Sequence, residues 1–250
     1  MGDGGNNYFR ELELPAIRRM AGAVCGAQAL GLATGNRLVA RWLATEGACV
    51  TATDGASSMV HLAEARSAAA ECISFCQLDV TSPESLPLFI KDRAPPDGFD
   101  IVTMNMAMMD IHDLQPLALA LPELLKKHTG RFVATLLHPV FGTSGATRER
   151  KVQINEDNGH RDLSHSISLS RYLDIPPENG FFRRGQPEPH MFFHRPIHEL
   201  LRLFFEAGLV LDALEEPNFG KTSYDASRVC AARNFVQIPK ILAFRLRTAS

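Results

Sequence analysis

No hydrophobic run in this 250-residue chain approaches the roughly 20 residues that a helix needs to cross a bilayer. Positive charge is not in excess either. Lys and Arg number 26 against 28 Asp and Glu, and the resulting net charge of −2 gives no field to collect nucleic acid or anionic lipid. The five cysteines form no CxxC pair, so no disulfide framework and no metal site are expected, and reduced thiols in a cytoplasmic protein are. Cys72 and Cys76 fall in a segment patterned as a strand, which sets them apart. A GxSxG elbow, a phosphate-loop lysine motif and an HExxH helix are all missing, which leaves hydrolase, NTPase and zinc-protease chemistry without a nucleus. Residues 1–7 are rich in Gly and Asn and lack an apolar signal-peptide centre, so a flexible start is expected.

With 45% hydrophobic and 22% charged residues, the composition is that of a globular domain. Strands and helices alternate along the first half. Gln28 to Thr34 reads as a strand, Asn36 to Glu46 as a helix ended by Gly47, and Cys49 to Asp54 as a second strand. A helix is expected over Ser57 to Ala70 and a third strand over Ile73 to Asp79. Thr81, Ser82, Pro83 and Glu84 resemble a capping box. Strand four runs from Asp100 to Asn105, a helix from Leu114 to Lys127, and strand five from Arg131 to Leu137. A leading helix is expected over Tyr8 to Met20. This rhythm implies a parallel sheet covered on both faces.

The rhythm stops between Val140 and His190, where apolar periodicity is weak and Pro, Gly and charges are frequent. Tyr172, Phe181, Phe182, Met191, Phe192 and Phe193 give the segment surface to bury, so a partly ordered lid is expected over about 140–190. Order resumes with a helix over Pro196 to Ala207, a strand over Leu209 to Leu214 and a last strand over Ile241 to Leu246. That pair is expected to lie antiparallel on the sheet. One domain spanning 8–250 accounts for the whole pattern.

From about Leu14 to Arg247 the chain resembles the class I S-adenosylmethionine-dependent methyltransferases of the small-molecule type. Ala33, Gly35 and Arg37 stand at the glycine positions of the cofactor loop, and Gly31 stands where the family carries an acid. Asp54 matches the ribose-binding acid, and Asp79 the acid that faces the adenine amino group. Phe99 to Asn105 matches the fourth strand, and Met106 to Asp110 the segment lining the transfer site. The resemblance implies a Rossmann-like, seven-stranded α/β fold with an antiparallel C-terminal pair and a lid after strand five. It also implies S-adenosylmethionine as cofactor, held by Ala33, Gly35, Arg37, Asp54, Asp79 and Asn105. The departures at Gly31 and Arg37 leave two outcomes. The guanidinium either pairs with the cofactor carboxylate or sits in its place and repels the sulfonium; like charges about 4 Å apart cost roughly 4 kcal/mol at an effective dielectric near 20.

Groups for proton transfer are expected beyond the carboxyl ends of the strands. Asp110 and His112 follow strand four, and His138 ends strand five, where it serves either as a base or as a hydrogen-bonding partner of the lid backbone. Asp113 caps the next helix in the simplest reading, and His194 is structural in the same sense. The function implied is methyl transfer to oxygen, nitrogen or carbon of a small, secondary metabolite. The alternative keeps the fold and gives up cofactor use, for a cyclisation or other non-methylating reaction, or for a non-catalytic role.

Overall fold

The computed structural model describes residues 4–65, 72–154, 161–180, 188–220 and 231–249. Five strands open the sheet: β1 (Gln28–Leu32), β2 (Cys49–Asp54), β3 (Ile73–Gln77), β4 (Ile101–Asn105) and β5 (Arg131–Leu137). An insert follows with β6 (Ala146–Ile154), β7 (Arg161–Leu169), β8 (Glu178–Gly180) and β9 (His190–Phe192), and β10 (Leu209–Glu215) and β11 (Ile241–Thr248) complete the strands. The main sheet has seven strands in the order β10-β11-β5-β4-β1-β2-β3. The neighbouring pairs among β1 to β5 are parallel, whereas β11 is antiparallel to both β5 and β10. The expected architecture is therefore the observed one. Successive connections leave β1 and β4 in opposite directions along the sheet, which makes the gap between their carboxyl ends the switch point where such sheets bind ligands.

The two faces follow from alternation along each strand. Val102 and Phe132 point to one face, where Leu86 and Phe89 of α4 (Ser85–Arg93), Leu117 and Leu121 of α5 (Gln115–Leu124) and Phe204 of α6 (Ile197–Glu206) cover them. Ile101 and Val133 point to the other, against Ile17 and Met20 of α1 (Leu14–Ala21) and Val39 and Leu43 of α2 (Leu38–Thr45). These side chains are almost wholly withdrawn from water, so truncating one to alanine costs about 2–5 kcal/mol.

Boundaries shift for local reasons. The leading helix opens with a wide π-type turn, Phe9–Glu13, before α1. Pro15 supplies no amide to Glu11, and the Leu14 amide reaches back to the Phe9 carbonyl instead. The second helix starts at Leu38 rather than Asn36, because Arg37 adopts a left-handed conformation with φ 63°. Strand three ends at Gln77, two residues early, since the Asp79 carboxylate turns back to accept the Thr81 amide and hydroxyl at 2.9 and 2.7 Å. The helix expected over Ser57 to Ala70 is α3 (Ser57–Ala65); positions 66–70 lie outside the described residues. Cys76 is not the neighbour of Cys72: the Cys72 thiol lies 3.2 Å from that of Cys49, across the β2–β3 register.

The insert departs most from expectation. It contains an antiparallel ribbon, β6–β7, paired from Ala146↔Leu169 to Ile154↔Arg161, and a shorter one, β8–β9. No apolar alternation announced β6, because neither of its faces covers a core; Val152 and Ile154 stay 44% and 60% exposed. Tyr172, Phe192 and Phe193 are half-buried as expected, whereas Met191 is exposed; Phe181 and Phe182 lie outside the described residues.

Candidate active site

Around the carboxyl end of β1, the chain turns tightly through Ala33 (φ 49°), Gly35 (φ 47°) and Arg37 (φ 63°). Thr34 ties this turn to β2, its amide and hydroxyl both donating to the Thr53 carbonyl at 2.9 and 3.0 Å. A Cβ at Gly31 would lie 2.5 Å from the Thr34 methyl, so the space beside Gly31 is taken by Thr34, which would have to shift to admit a side chain there. The Asp54 carboxylate accepts the Gly35 amide at 2.9 Å on one oxygen and the Ala56 amide at 3.1 Å on the other. Asp79 is exposed, and Thr81 occupies only one of its oxygens. Arg37 is buried at the head of α2, with only 3% of its surface exposed.

At the end of β4, Asn105 sits in a polar chain. Its carbonyl oxygen accepts the Thr135 hydroxyl at 2.6 Å, and its amide nitrogen donates to the Glu13 carboxylate at 2.9 Å. Burial pushes the Glu13 carboxyl above its ordinary range, and the Asn105 bond pulls it back in part. Sequence reasoning missed Glu13, since a charged residue on the leading helix reads as solvated. The wide turn before Pro15 changes the helical phase at this residue.

On the other side of β4 the walls turn apolar. Met108 and Met109 belong to the short helical turn Met108–Asp110, and with Leu136, Pro139, Ile175 and Phe192 they enclose a cavity of about 260 Å³ under the insert. Arg195 holds this arrangement: its guanidinium donates to the Met108, Ile111 and His112 carbonyls at 3.2, 2.7 and 2.8 Å. The Phe193 amide donates to the Met109 carbonyl at 2.8 Å, and the His194 ring meets the Tyr172 carbonyl at 2.6 Å. His194 is thus structural, as is Asp113, which accepts the Gln115 amide at 2.8 Å in the turn that leads into α5.

The three residues expected to handle protons are not equivalent. Asp110 ends the methionine turn next to Met109 but is exposed and does not line the cavity; partial desolvation raises its carboxyl to about 6, against a smaller lowering by His190. His112 is exposed, its ring 6.1 Å from that of Phe193. His138 is buried and fully engaged. Its Nδ1 accepts the Val140 amide at 3.2 Å and its Nε2 lies 2.8 Å from the Glu216 carboxylate. The neutral ring in this arrangement donates through Nε2 and keeps no lone pair for a substrate proton. Burial lowers the His138 pKa, with Glu216 opposing. The geometry therefore corresponds to the lid-backbone alternative rather than to a base. Lys240, which sequence reading passed over, is buried beside the same edge and lowered to about 8 by desolvation and by Arg148; its carbonyl accepts the His138 amide at 3.1 Å.

Residues 30–133 match the family model of the methyltransferase domain. In structure, the chain is similar to an S-adenosylmethionine-dependent methyltransferase from Mesorhizobium loti, with a TM-score of 0.67 and 21% identity over 98% of this chain and 100% of the other. A protein from Listeria monocytogenes assigned to the same class aligns with a TM-score of 0.66 and 18% identity, over 95% and 98% of the two chains. The glycopeptide N-methyltransferase MtfA in complex with S-adenosylmethionine aligns at 0.59 and 16%, over 96% and 94%. No curated protein matches the chain in sequence. The match over residues 30–133 and these likenesses show that the fold of the chain is that of the S-adenosylmethionine-dependent methyltransferases it resembles.

S-adenosylmethionine presents ribose hydroxyls, an adenine amino group, a sulfonium, and an amino-acid end that carries an ammonium beside a carboxylate. Opposite these the carboxyl ends of the strands offer an Asp54 carboxylate oriented by two amides, a second carboxylate at Asp79, and the buried carboxyl of Glu13 at the end of β4. That donor set fits the group. Among the described residues, no cluster of His, Cys, Asp and Glu is arranged to hold a metal ion, and no helix is long and apolar enough to cross a membrane.

Proposed function

We propose that the protein is an enzyme that transfers a methyl group from S-adenosylmethionine to oxygen, nitrogen or carbon of a small, largely apolar molecule. The cavity beside β4 carries this reading. Its volume of about 260 Å³ suits a single ring system, and its walls are methionine, leucine, isoleucine, proline and phenylalanine with a few polar groups such as Thr143, Ser144 and Asn179. Asp54 and Asp79 hold ribose and adenine, and the turn through Ala33, Gly35 and Arg37 passes close beside them. Asn105 separates the two halves of the site.

When bound, S-adenosylmethionine supplies an electrophilic methyl group. The rest is the work of this chain. Met108, Met109 and Phe192 exclude water and orient the acceptor, which converts a bimolecular encounter into a positioned one. We assign the acceptor's proton to Asp110, an exposed residue next to the cavity-lining Met109; with its carboxyl at about 6, it is mostly ionised at neutral pH. His138 holds the start of the insert through Val140 and Glu216.

Calorimetric titration with S-adenosylmethionine and S-adenosylhomocysteine tests the reading. Micromolar binding of both is expected. A folded protein that binds neither would turn the interpretation to the alternative, a methyltransferase fold used for a non-methylating reaction or a non-catalytic role.

A further inference from the structure

Glu13 is a carboxylate in an expensive place. It is 6% exposed, and its neighbour Leu12 packs with Phe219, Ile241 and Met106. Buried carboxylates are normally paired with cations or several donors, because the ion otherwise loses its hydration uncompensated. Glu13 has one donor among the described residues: Asn105 bonds to Oε2, while Oε1 accepts no hydrogen bond and no Lys, Arg or His pairs with it. Asn105 ends β4, the strand that borders β1 with Met104 opposite Leu32, so Glu13 is held at the strand end that borders the switch point. No acid on β1 competes for the role, since the Thr34 methyl fills the space at Gly31. The Thr135–Asn105–Glu13 chain fixes where the carboxylate sits.

We propose that Glu13 is a cofactor-binding residue that receives the ammonium group of the amino-acid end of S-adenosylmethionine on its unpaired oxygen. The assignment rests on the methyltransferase reading above. An ammonium group is the chemistry that the oxygen lacks: it brings N–H donors and a positive charge together, whereas a sulfonium brings charge alone. The leading helix thereby becomes part of the binding site, with Asn105 as the positioning residue between it and the sheet.

Three ligands separate the possibilities by calorimetry: S-adenosylmethionine, S-adenosylhomocysteine, which keeps the ammonium, and methylthioadenosine, which lacks it. Glu13→Gln is expected to weaken the first two by about 10- to 100-fold and to leave the third within about twofold. Glu13→Asp, which keeps the charge one methylene back, should recover part of the loss. If Glu13→Gln does not fold, as read by its thermal transition, Glu13→Asp alone should still weaken the two ammonium ligands relative to methylthioadenosine. Equal weakening of all three, or of none, would overturn the assignment, and weakening of S-adenosylmethionine alone would move the contact to the sulfonium. An unaltered protein that binds methylthioadenosine but discriminates neither ammonium ligand from it refutes Glu13 while sparing the fold of the nucleoside site. One that binds none of the three refutes the methyltransferase reading, and this assignment with it.

Discussion

Two sides of one strand end divide the work of this molecule. Towards β1 and β2, the edge beyond β4 is built from carboxylates and backbone amides, Asp54, Asp79 and the turn at Gly35, with Glu13 held by Asn105 at the β4 end itself. Towards β5, it is built from Met108, Met109, Leu136 and the aromatic residues of the insert. In the function proposed above, the first side recognises charge and hydroxyls, and its geometry is held by short bonds to the sheet. The second recognises shape and excludes water, and its geometry is held by one arginine reaching three carbonyls. On that reading, specificity for the cofactor and for the acceptor varies separately, because the groups that set them hang on different elements.

The largest effect is expected from Asp110→Asn, which removes a base while leaving volume unchanged. Turnover should fall by about 100- to 10,000-fold, with binding of S-adenosylhomocysteine preserved. In the unaltered protein, the rate should rise with pH through about 6, and the variant should lose that limb of the profile. The same group carries a stability signature. Its folded pKa lies above its ordinary value, so its protonated form is favoured by folding, and the stabilisation present at acid pH is lost as pH rises through about 6. Loss of turnover together with loss of S-adenosylhomocysteine binding would place Asp110 on the cofactor side and break the division.

Next comes Ile175→Trp, which fills the cavity from the insert without touching the sheet. Methyl transfer should drop by about 100-fold as the acceptor is misplaced, with cofactor affinity within about twofold. A parallel drop in cofactor affinity would show that the two sides are one pocket.

Smaller, and felt as stability, is Arg195→Ala. Three carbonyls lose their donor, and the thermal transition should report a loss of about 1–3 kcal/mol. The methionine turn then loosens, so the Michaelis constant for the acceptor should rise while cofactor affinity holds.

The cofactor half was largely legible in the chain. Strand periodicity, Gly35 and Asp54 all report interactions within two or three neighbouring elements, and local patterns carry that information. The acceptor half was not. The β6–β7 ribbon covers no core face, so its residues carry no apolar alternation to read. His138 stood in the right place for a base, yet Val140 and Glu216 occupy both of its ring nitrogens, and Glu216 comes from 78 residues further along the chain. The wide turn at Phe9–Glu13 was equally hidden, although Pro15 is its visible cause.

By itself, the sequence determined the alternation of strands and helices, the seven-stranded class and the acid after the second strand, because these depend on burial patterns repeated within short windows. Only the tertiary structure decided that the Thr34 methyl stands against Gly31, that Glu13 of the leading helix meets Asn105 at the end of β4, and that both ring nitrogens of His138 are engaged. Those outcomes depend on which distant groups share a desolvated volume, and in such a volume hydrogen-bond partners, more than residue type, set protonation and role.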